Sequence, residues 1–266
     1  MSDRPDPWGH TRRPSPAPST AQQDPQREQR LYGVNAIAAV FARRPGDIRK
    51  IWLAEARAPQ FRELLKWCAA QRIGYRVVSD EDLRKLAASS HHEGIVADVR
   101  APAMPGFETW LSSLPAGRQC LLWLDGVGNP HNLGAILRNA AHFGVRAILI
   151  PADATLAVSG AAARVAEGGA EVVPLIRMPA EAAAMASLRA VGFTLWATLV
   201  SGGEDLFART MPERLVYVMG AEQSGMDRRL AMRCDASVSI PGSGAVESLN
   251  VASATAVLLS AYARSP

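Results

Sequence analysis

The sequence predicts an α/β protein in two parts: a small N-terminal α/β unit and a larger, mostly parallel sheet covered on both faces by helices. Three observations lead there. From Cys120 onward, near-continuous apolar runs of strand length alternate with stretches of helical period, the pattern of a parallel sheet buried on both sides. Residues 31–100 show a shorter alternation of the same kind. Pro102, Pro105 and Pro115 punctuate the stretch between them. The expected divisions are a disordered tail over 1–30, an α/β unit over 31–100, a linker over 101–118 and the large domain over 119–266. At 266 residues and 48% apolar composition the chain can build ample cores. No apolar run approaches the roughly 18 residues of a membrane span. The N-terminus carries no apolar segment after its charges, so neither a membrane anchor nor a secretory signal is expected.

Taken in order, residues 1–30 contain six prolines and no Leu, Ile, Val or Phe, too little apolar surface to offset ordering entropy. Helix is expected from Asn35 to Arg43, strand from Ile48 to Leu53, and an amphipathic helix from Pro59 to Gln71 with Phe61, Leu64, Leu65 and Cys68 inward. A short strand follows from Tyr75 to Val78. Ser79 and Asp82 form a capping-box signature opening a helix to Ala88, and Gly94 to Val99 closes the unit as a strand. The linker carries a short helix around Trp110. Thereafter strands fit 120–125, 146–150, 171–176, 193–199, 215–220 and 236–240. Helices fit 132–143, 157–167, 180–190, 227–232 and 248–263.

Charge and cysteine usage narrow the class. Residues 31–100 carry twelve Lys or Arg against eight acids, whereas 101–266 carry twelve against thirteen, so the positive excess sits in the small unit, where attraction to a polyanion would be placed. Cys68, Cys120 and Cys234 are odd in number and far apart, which excludes a disulfide framework and fits a reducing cytoplasm. His91-His92-Glu93 has no further ligand cluster beside it and reads as a solvated turn; no metal site is expected.

In such a sheet, ligands bind beyond the carboxyl ends of the strands, and three of those ends are rich in glycine and polar residues. The first runs from Asp125 to Arg138. Its Gly126 and Gly128 begin a dinucleotide fingerprint that fails at His131, which disfavours a nicotinamide oxidoreductase. Asn132 reads as the helix N-cap, Ile136, Ala140 and Phe143 as an inward stripe. Arg138 lies one turn beyond Gly134, whose missing side chain would let the guanidinium lean back toward Asn132 and the strand end. The second end is Gly220-Ala221-Glu222-Gln223-Ser224-Gly225. The third, Ile240 to Asn250, leads into a final helix with Ala252, Ala256, Leu259 and Ala263 at helical spacing, for which Ser248 is a candidate N-cap.

Together these segments resemble the SpoU family of RNA 2′-O-ribose methyltransferases, marked by N-x-G-x-I-x-R, G-x-E-x-x-G and I-P-x-x-G-x-x-x-S-L-N in this order. Here they stand as Asn132 to Arg138, Gly220 to Gly225 and Ile240 to Asn250. Gly33 to Ile37 and His92-Glu93-Gly94 resemble the opening and closing features of that family's substrate-binding domain. The departures are Asn129 where Asp is common, Gly242 where Met is usual and Glu93 for a frequent Gln.

The resemblance implies a Rossmann-like catalytic domain ending in a trefoil knot, with S-adenosylmethionine as cofactor and structured RNA, ribosomal or transfer, as substrate. It implies cofactor contacts at Thr198, Leu199, Gly220, Ile240, Pro241, Ser248 and Leu249. It assigns the base role to Arg138, with Asn132, Glu222, Ser248 and Asn250 orienting that arginine and the ribose. A free guanidinium stays protonated and has no acceptor, so binding phosphate and stabilising the developing alkoxide is a second role for Arg138. The resemblance further implies a cytoplasmic homodimer through the knot and the C-terminal helix, with a site that two chains could share. The alternative from another class is a catalytically silent RNA-binding or ribosome-assembly protein.

Overall fold

The computed structural model describes residues 28–221 and 225–265, and it opens with a strand where a tail was expected. Of the expected tail, residues 1–27 lie outside the described residues. Glu28–Tyr32 form β1, which pairs antiparallel with the last strand of the small unit, Glu28 opposite Arg100. Its first three residues are polar, so no apolar run announces it. What holds it is pairing: Arg30 lies 5.3 Å over the Trp52 ring and makes two bonds to Asp98, at 2.7 and 3.0 Å.

The chain continues through α1 (Val34–Arg43), β2 (Ile48–Leu53), α2 (Arg62–Ala70), β3 (Gly74–Val77), α3 (Asp80–Ala87) and β4 (Ile95–Arg100). The four strands lie in the order β1-β4-β2-β3, with only β2 and β3 parallel. α1 and α2 bury Ile37, Val40, Leu64 and Cys68 on one face, while α3 closes the other with Leu83. The Ser79 hydroxyl accepts from the Asp82 N–H as the capping signature predicted.

His92 corrects the solvated-turn reading. It is 3% exposed, its Nδ1 accepts from the Gly94 N–H at 3.1 Å, and its Nε2 lies 3.5 Å from Asp80. Glu93 meanwhile caps α1 by accepting from the Val34 N–H and pairs with Arg164 at 3.4 Å.

The linker is partly core. Its helix α4 (Phe107–Ser112) buries Phe107, Trp110 and Leu111 against the large sheet. The large domain then runs β5 (Gln119–Leu124), α5 (Pro130–His142), β6 (Ile148–Ile150), α6 (Gly160–Val165), β7 (Leu175–Arg177), α7 (Glu181–Ala190), β8 (Thr194–Leu199), β9 (Glu204–Asp205), β10 (Arg214–Met219), α8 (Arg228–Arg233), β11 (Ala236–Ser239) and α9 (Val251–Arg264). The strand order is β7-β6-β5-β10-β8-β11-β9, every described pairing parallel. Alternation along each strand serves two cores. Cys120, Leu122 and Leu124 face α5, α6 and α9, whereas Leu121 and Trp123 face α4, α7 and α8.

In the large domain β9 was not expected, and β7 and α9 depart from their expected positions. β7 begins four residues later than expected because Gly169–Glu171 form a 3-10 turn. A Cβ on Gly169 would stand 2.7 Å from the Leu137 carbonyl, so this turn is pressed onto α5 rather than extended beside it. The buried face of α9 is Ala252, Thr255, Leu258, Leu259 and Tyr262, leaving Ala263 exposed, a rotation from the stripe read by spacing.

The two parts are docked by packing and charge. Gly160 meets the Tyr32 ring, and Ala163 of α6 enters the core of the small unit. Arg44 forks onto Glu171 at 2.6 and 2.9 Å, both side chains nearly covered at 14% and 10% exposure. Burial alone would lower the Arg44 pKa, but the bonds and charges of Glu171 and Asp47 outweigh it and raise it. Removing one partner of such a pair strands the other, so Glu171→Ala is expected to cost about 3 kcal/mol in chemical denaturation. A loss under ~1 kcal/mol would make the contact a surface pair. The thiols are covered as well: burial raises Cys120 and pushes Cys68 and Cys234 up to about 11.

Candidate active site at the strand ends

The three motif segments converge because their strands, β5, β10 and β11, end on the same side of one parallel sheet, with β8 standing between β10 and β11. One register row crosses Leu124, Met219, Thr198 and Val238, so the residues that follow, Asp125, Gly220, Leu199 and Ser239, emerge side by side. The Asp125 N–H donates to the Met219 carbonyl at 2.8 Å, and the Thr198 hydroxyl donates to the Val218 carbonyl at 3.0 Å. Thr198 therefore spends its hydroxyl on joining strands.

The loop after β10 is tightly closed. Ala221 and Gly225 exchange two backbone bonds of 2.9 Å each, and a Cβ on Gly220 would stand 2.4 Å from Met226 Cα. Gly126, at φ +87°, allows the first motif loop onto this turn, where a Cβ would meet that of Ala221 at 2.7 Å. Between them lies an open pocket lined by Asp125, Gly126, Ala221, Gly225, Asp227 and Arg228. Burial first, then the charges of Glu181, Asp227 and Asp153, raise the Asp125 pKa. The sequence reading gave Asp125 no role; its position directly after an apolar strand was the available signal. Glu222 lies outside the described residues.

The helices lock the first motif to the third. Asn250 caps α9 by accepting from the Ala252 N–H at 2.9 Å, and its amide donates to Asn132 Oδ1 at 3.1 Å. Asn139, seven residues on and thus on the same helical face, donates to the Ala252 carbonyl at 2.9 Å. Both expected N-caps are corrected. Asn129 caps α5, accepting from the His131 N–H, because Pro130 suits the first helical position. Asn250 rather than Ser248 caps α9. Residues 241–250 are exposed throughout, with Val246 at 71% and Leu249 at 49%.

Arg138 does not lie where sequence reasoning aimed it. Six residues beyond Asn132 is about 240° around the helix, and its guanidinium sits 3.9 Å from Glu167, facing the small unit. Gly134 serves another purpose than clearing its path: a Cβ there would stand 2.6 Å from the Ala162 carbonyl, so the glycine lets α5 and α6 cross closely. Within the chain the fold thus brings Asn132, Asn250, Thr198, Leu199, Gly220 and Ile240 to one edge and sets Arg138 on another face of α5.

Comparison with known proteins identifies the family. The family model described as the SpoU rRNA Methylase family matches residues 119–260, and the one described as RNA 2′-O ribose methyltransferase substrate binding matches residues 30–105. The chain is 36% identical over 247 residues to the uncharacterized tRNA/rRNA methyltransferase YfiF of Escherichia coli O157:H7, covering 93% of this chain and 71% of that protein. It is 36% identical over 237 residues to the 23S rRNA (guanosine-2′-O-)-methyltransferase RlmB of Pseudomonas aeruginosa, covering 87% and 94%. Among solved structures, the SpoU methyltransferase AviRb of Streptomyces viridochromogenes in complex with AdoMet superposes at a TM-score of 0.73 with 24% identity, covering 89% of each chain. The large domain, its three motif loops and the smaller unit before it all fall within these matches: the chain belongs to the SpoU rRNA methylase family.

Proposed function

We propose that this protein transfers a methyl group from S-adenosylmethionine to a ribose 2′-hydroxyl of ribosomal or transfer RNA. The observation that carries this reading is the convergence of the three motif segments at the carboxyl ends of β5, β10 and β11 in one sheet, with Asn132 and Asn250 bonded across the two motif helices. A 2′-hydroxyl exists in RNA and not in DNA, so the chemistry itself sets the substrate class.

The residues present fit the cofactor. Glycine backbone at Gly220 leaves no room for a side chain, and Val246 and Leu249 offer uncovered apolar surface that an adenosine would bury. We assign its contacts to Thr198, Leu199, Gly220, Ile240, Pro241, Ser248 and Leu249. When bound, S-adenosylmethionine supplies an electrophilic methyl group on a sulfonium. The chain's own task is to align the 2′-oxygen for in-line attack and stabilise it as its proton leaves.

Asn132, Glu222, Ser248 and Asn250 are assigned to ribose orientation. For Arg138 the electrostatic role is preferred, since a guanidinium carries its charge as a general property of the group and has no lone pair to accept a proton. Because Asn132 and Arg138 occupy different faces of α5, we assign the complete site to two protomers. The exposed 241–250 loop and the small residues Ala256 and Ala263 of α9 support a homodimer there. The C-terminal trefoil knot is likewise proposed. β10 is inserted between β5 and β8, and α9 returns to α5, its Tyr262 hydroxyl donating to the Glu213 carbonyl at 2.6 Å. No helix among the described residues is long and apolar enough to cross a membrane; with reduced thiols and an RNA substrate, we place the protein in the cytoplasm.

Methylation at the 2′-oxygen makes the adjacent phosphodiester resist alkali. Incubation with ribosomal and transfer RNA and methyl-labelled cofactor is expected to yield labelled alkali-resistant dinucleotides. Label entering RNA that alkali reduces wholly to mononucleotides would overturn the reaction.

A further inference from the structure

We propose that the cleft between the two domains is a binding track for the RNA backbone, in which Arg43 of the small unit holds a phosphate opposite Arg138. This rests on the methyltransferase reading for its choice of RNA, and it adds a contact that the sequence motifs do not contain.

The cleft is open, about 490 Å³, and its walls come from different parts of the chain. α1 contributes Ala39 and Arg43, α5 contributes Arg138 and His142, and the segment after α6 supplies Glu167 and the glycine floor. That floor is backbone by necessity. Gly168 has φ +90° and would bring a Cβ to 3.1 Å from Ala39, while Gly169 is pressed against α5 at Leu137.

The end of α1 holds two arginines with opposite fates, Arg43 in its last turn and Arg44 as its C-cap. Arg44 is pinned, forking onto Glu171 and donating to the Arg100 carbonyl at 2.5 Å. Arg43, its neighbour, is exposed and lines the cleft, and its guanidinium makes no ion pair or hydrogen bond among the described residues. Its backbone is thus held by a buried interdomain fork while its guanidinium is left for an external anion. An unpaired guanidinium beside a fixed neighbour suits phosphate, which it grips through two parallel N–H donors.

Across the cleft, Arg138 has one carboxylate partner, at 3.9 Å, and that carboxylate is shared: Glu167 also accepts from the Asn35 amide of α1. Two arginines and a histidine thus face one already engaged glutamate, which leaves the walls net positive. A polynucleotide can bridge two walls set on different domains because its charges repeat along the chain. If Arg138 meets the target nucleotide, the strand carrying that nucleotide must cross this cleft, and Arg43 is the basic group standing on its other side. The positive excess of residues 31–100 lies in the same unit.

The test is filter binding of an in vitro 23S ribosomal RNA transcript across a salt series, with circular dichroism melting as the control for folding. Arg43→Ala is expected to weaken binding about 3- to 10-fold and to lower the slope of log K against log salt by about one, as loss of one phosphate contact requires. Arg43→Lys is expected to restore the slope. An affinity and slope equal to wild type in Arg43→Ala would overturn the proposal, as would a wild-type protein that does not bind the transcript. The enzyme reading is separable. Arg43-dependent binding without methyl transfer would keep the track and remove the reaction. Methyl transfer with an Arg43-independent slope would do the reverse.

Discussion

Replacing Arg138 with alanine is expected to abolish methyl transfer while leaving S-adenosylmethionine affinity intact. In the folded chain Arg138 is 63% exposed and its Glu167 contact is long, so the side chain contributes under ~1 kcal/mol to stability. Its loss should therefore be silent in thermal melts. A charge placed to stabilise an oxyanion is worth far more, since removing one such donor typically costs a factor of about 10² to 10³ in turnover. Loss of phosphate positioning compounds it. Lysine is not expected to rescue, because an ammonium cannot reproduce the planar fork. Single-turnover rates with labelled cofactor, set beside calorimetric cofactor affinity, check both halves. Near-normal turnover in Arg138→Ala removes this residue from the mechanism.

Gly220→Ala should be the most damaging single methyl group in the large domain. Its Cβ would stand 2.4 Å from Met226 Cα, Met226 N and the Gly225 carbonyl oxygen, all backbone, so no side-chain rotation relieves it. The loop must open, at a cost of about 1–3 kcal/mol, and opening separates the Ala221–Gly225 bonds that shape the proposed cofactor cradle. We expect cofactor affinity to fall at least about tenfold, the equivalent of ~1.4 kcal/mol. Gly106→Ala is the control: nothing lies within 4 Å of its Cβ position, its backbone φ is −61°, and neither affinity nor stability should change. Wild-type affinity in Gly220→Ala would show that the turn is not part of the cradle.

The sequence was most legible where burial and period coincide. β5, β8 and β10 are apolar on both faces because helices cover both sides of the sheet, so their ranges fall within a residue or two of expectation. β1 was hidden because an edge strand that opens with Glu28, Gln29 and Arg30 is held by partners 68 residues away, notably Asp98. β7 was misplaced because the apolar Val172 and Val173 follow a glycine pair that serves packing on α5 rather than strand formation. The caps fall two or three residues from expectation for a local reason: Asn129 and Asn132 stand either side of Pro130 at one helix start, Ser248 and Asn250 stand close together at the other, and each could accept from the first free N–H groups.

By itself the sequence determined the two-part α/β class, the row of polar strand ends and, through three ordered motifs, the family. These depend on local chemistry and on periodicity, which each segment carries alone. Only the tertiary structure decided that Asn132 bonds Asn250, that Arg138 turns away toward Glu167, and that Arg44 is buried while Arg43 is left open. The physical reason is rotation and docking. Which face of α5 or α1 meets a neighbour depends on how closely glycines such as Gly134, Gly160 and Gly169 let other backbones approach, and that distance is a property of two segments at once.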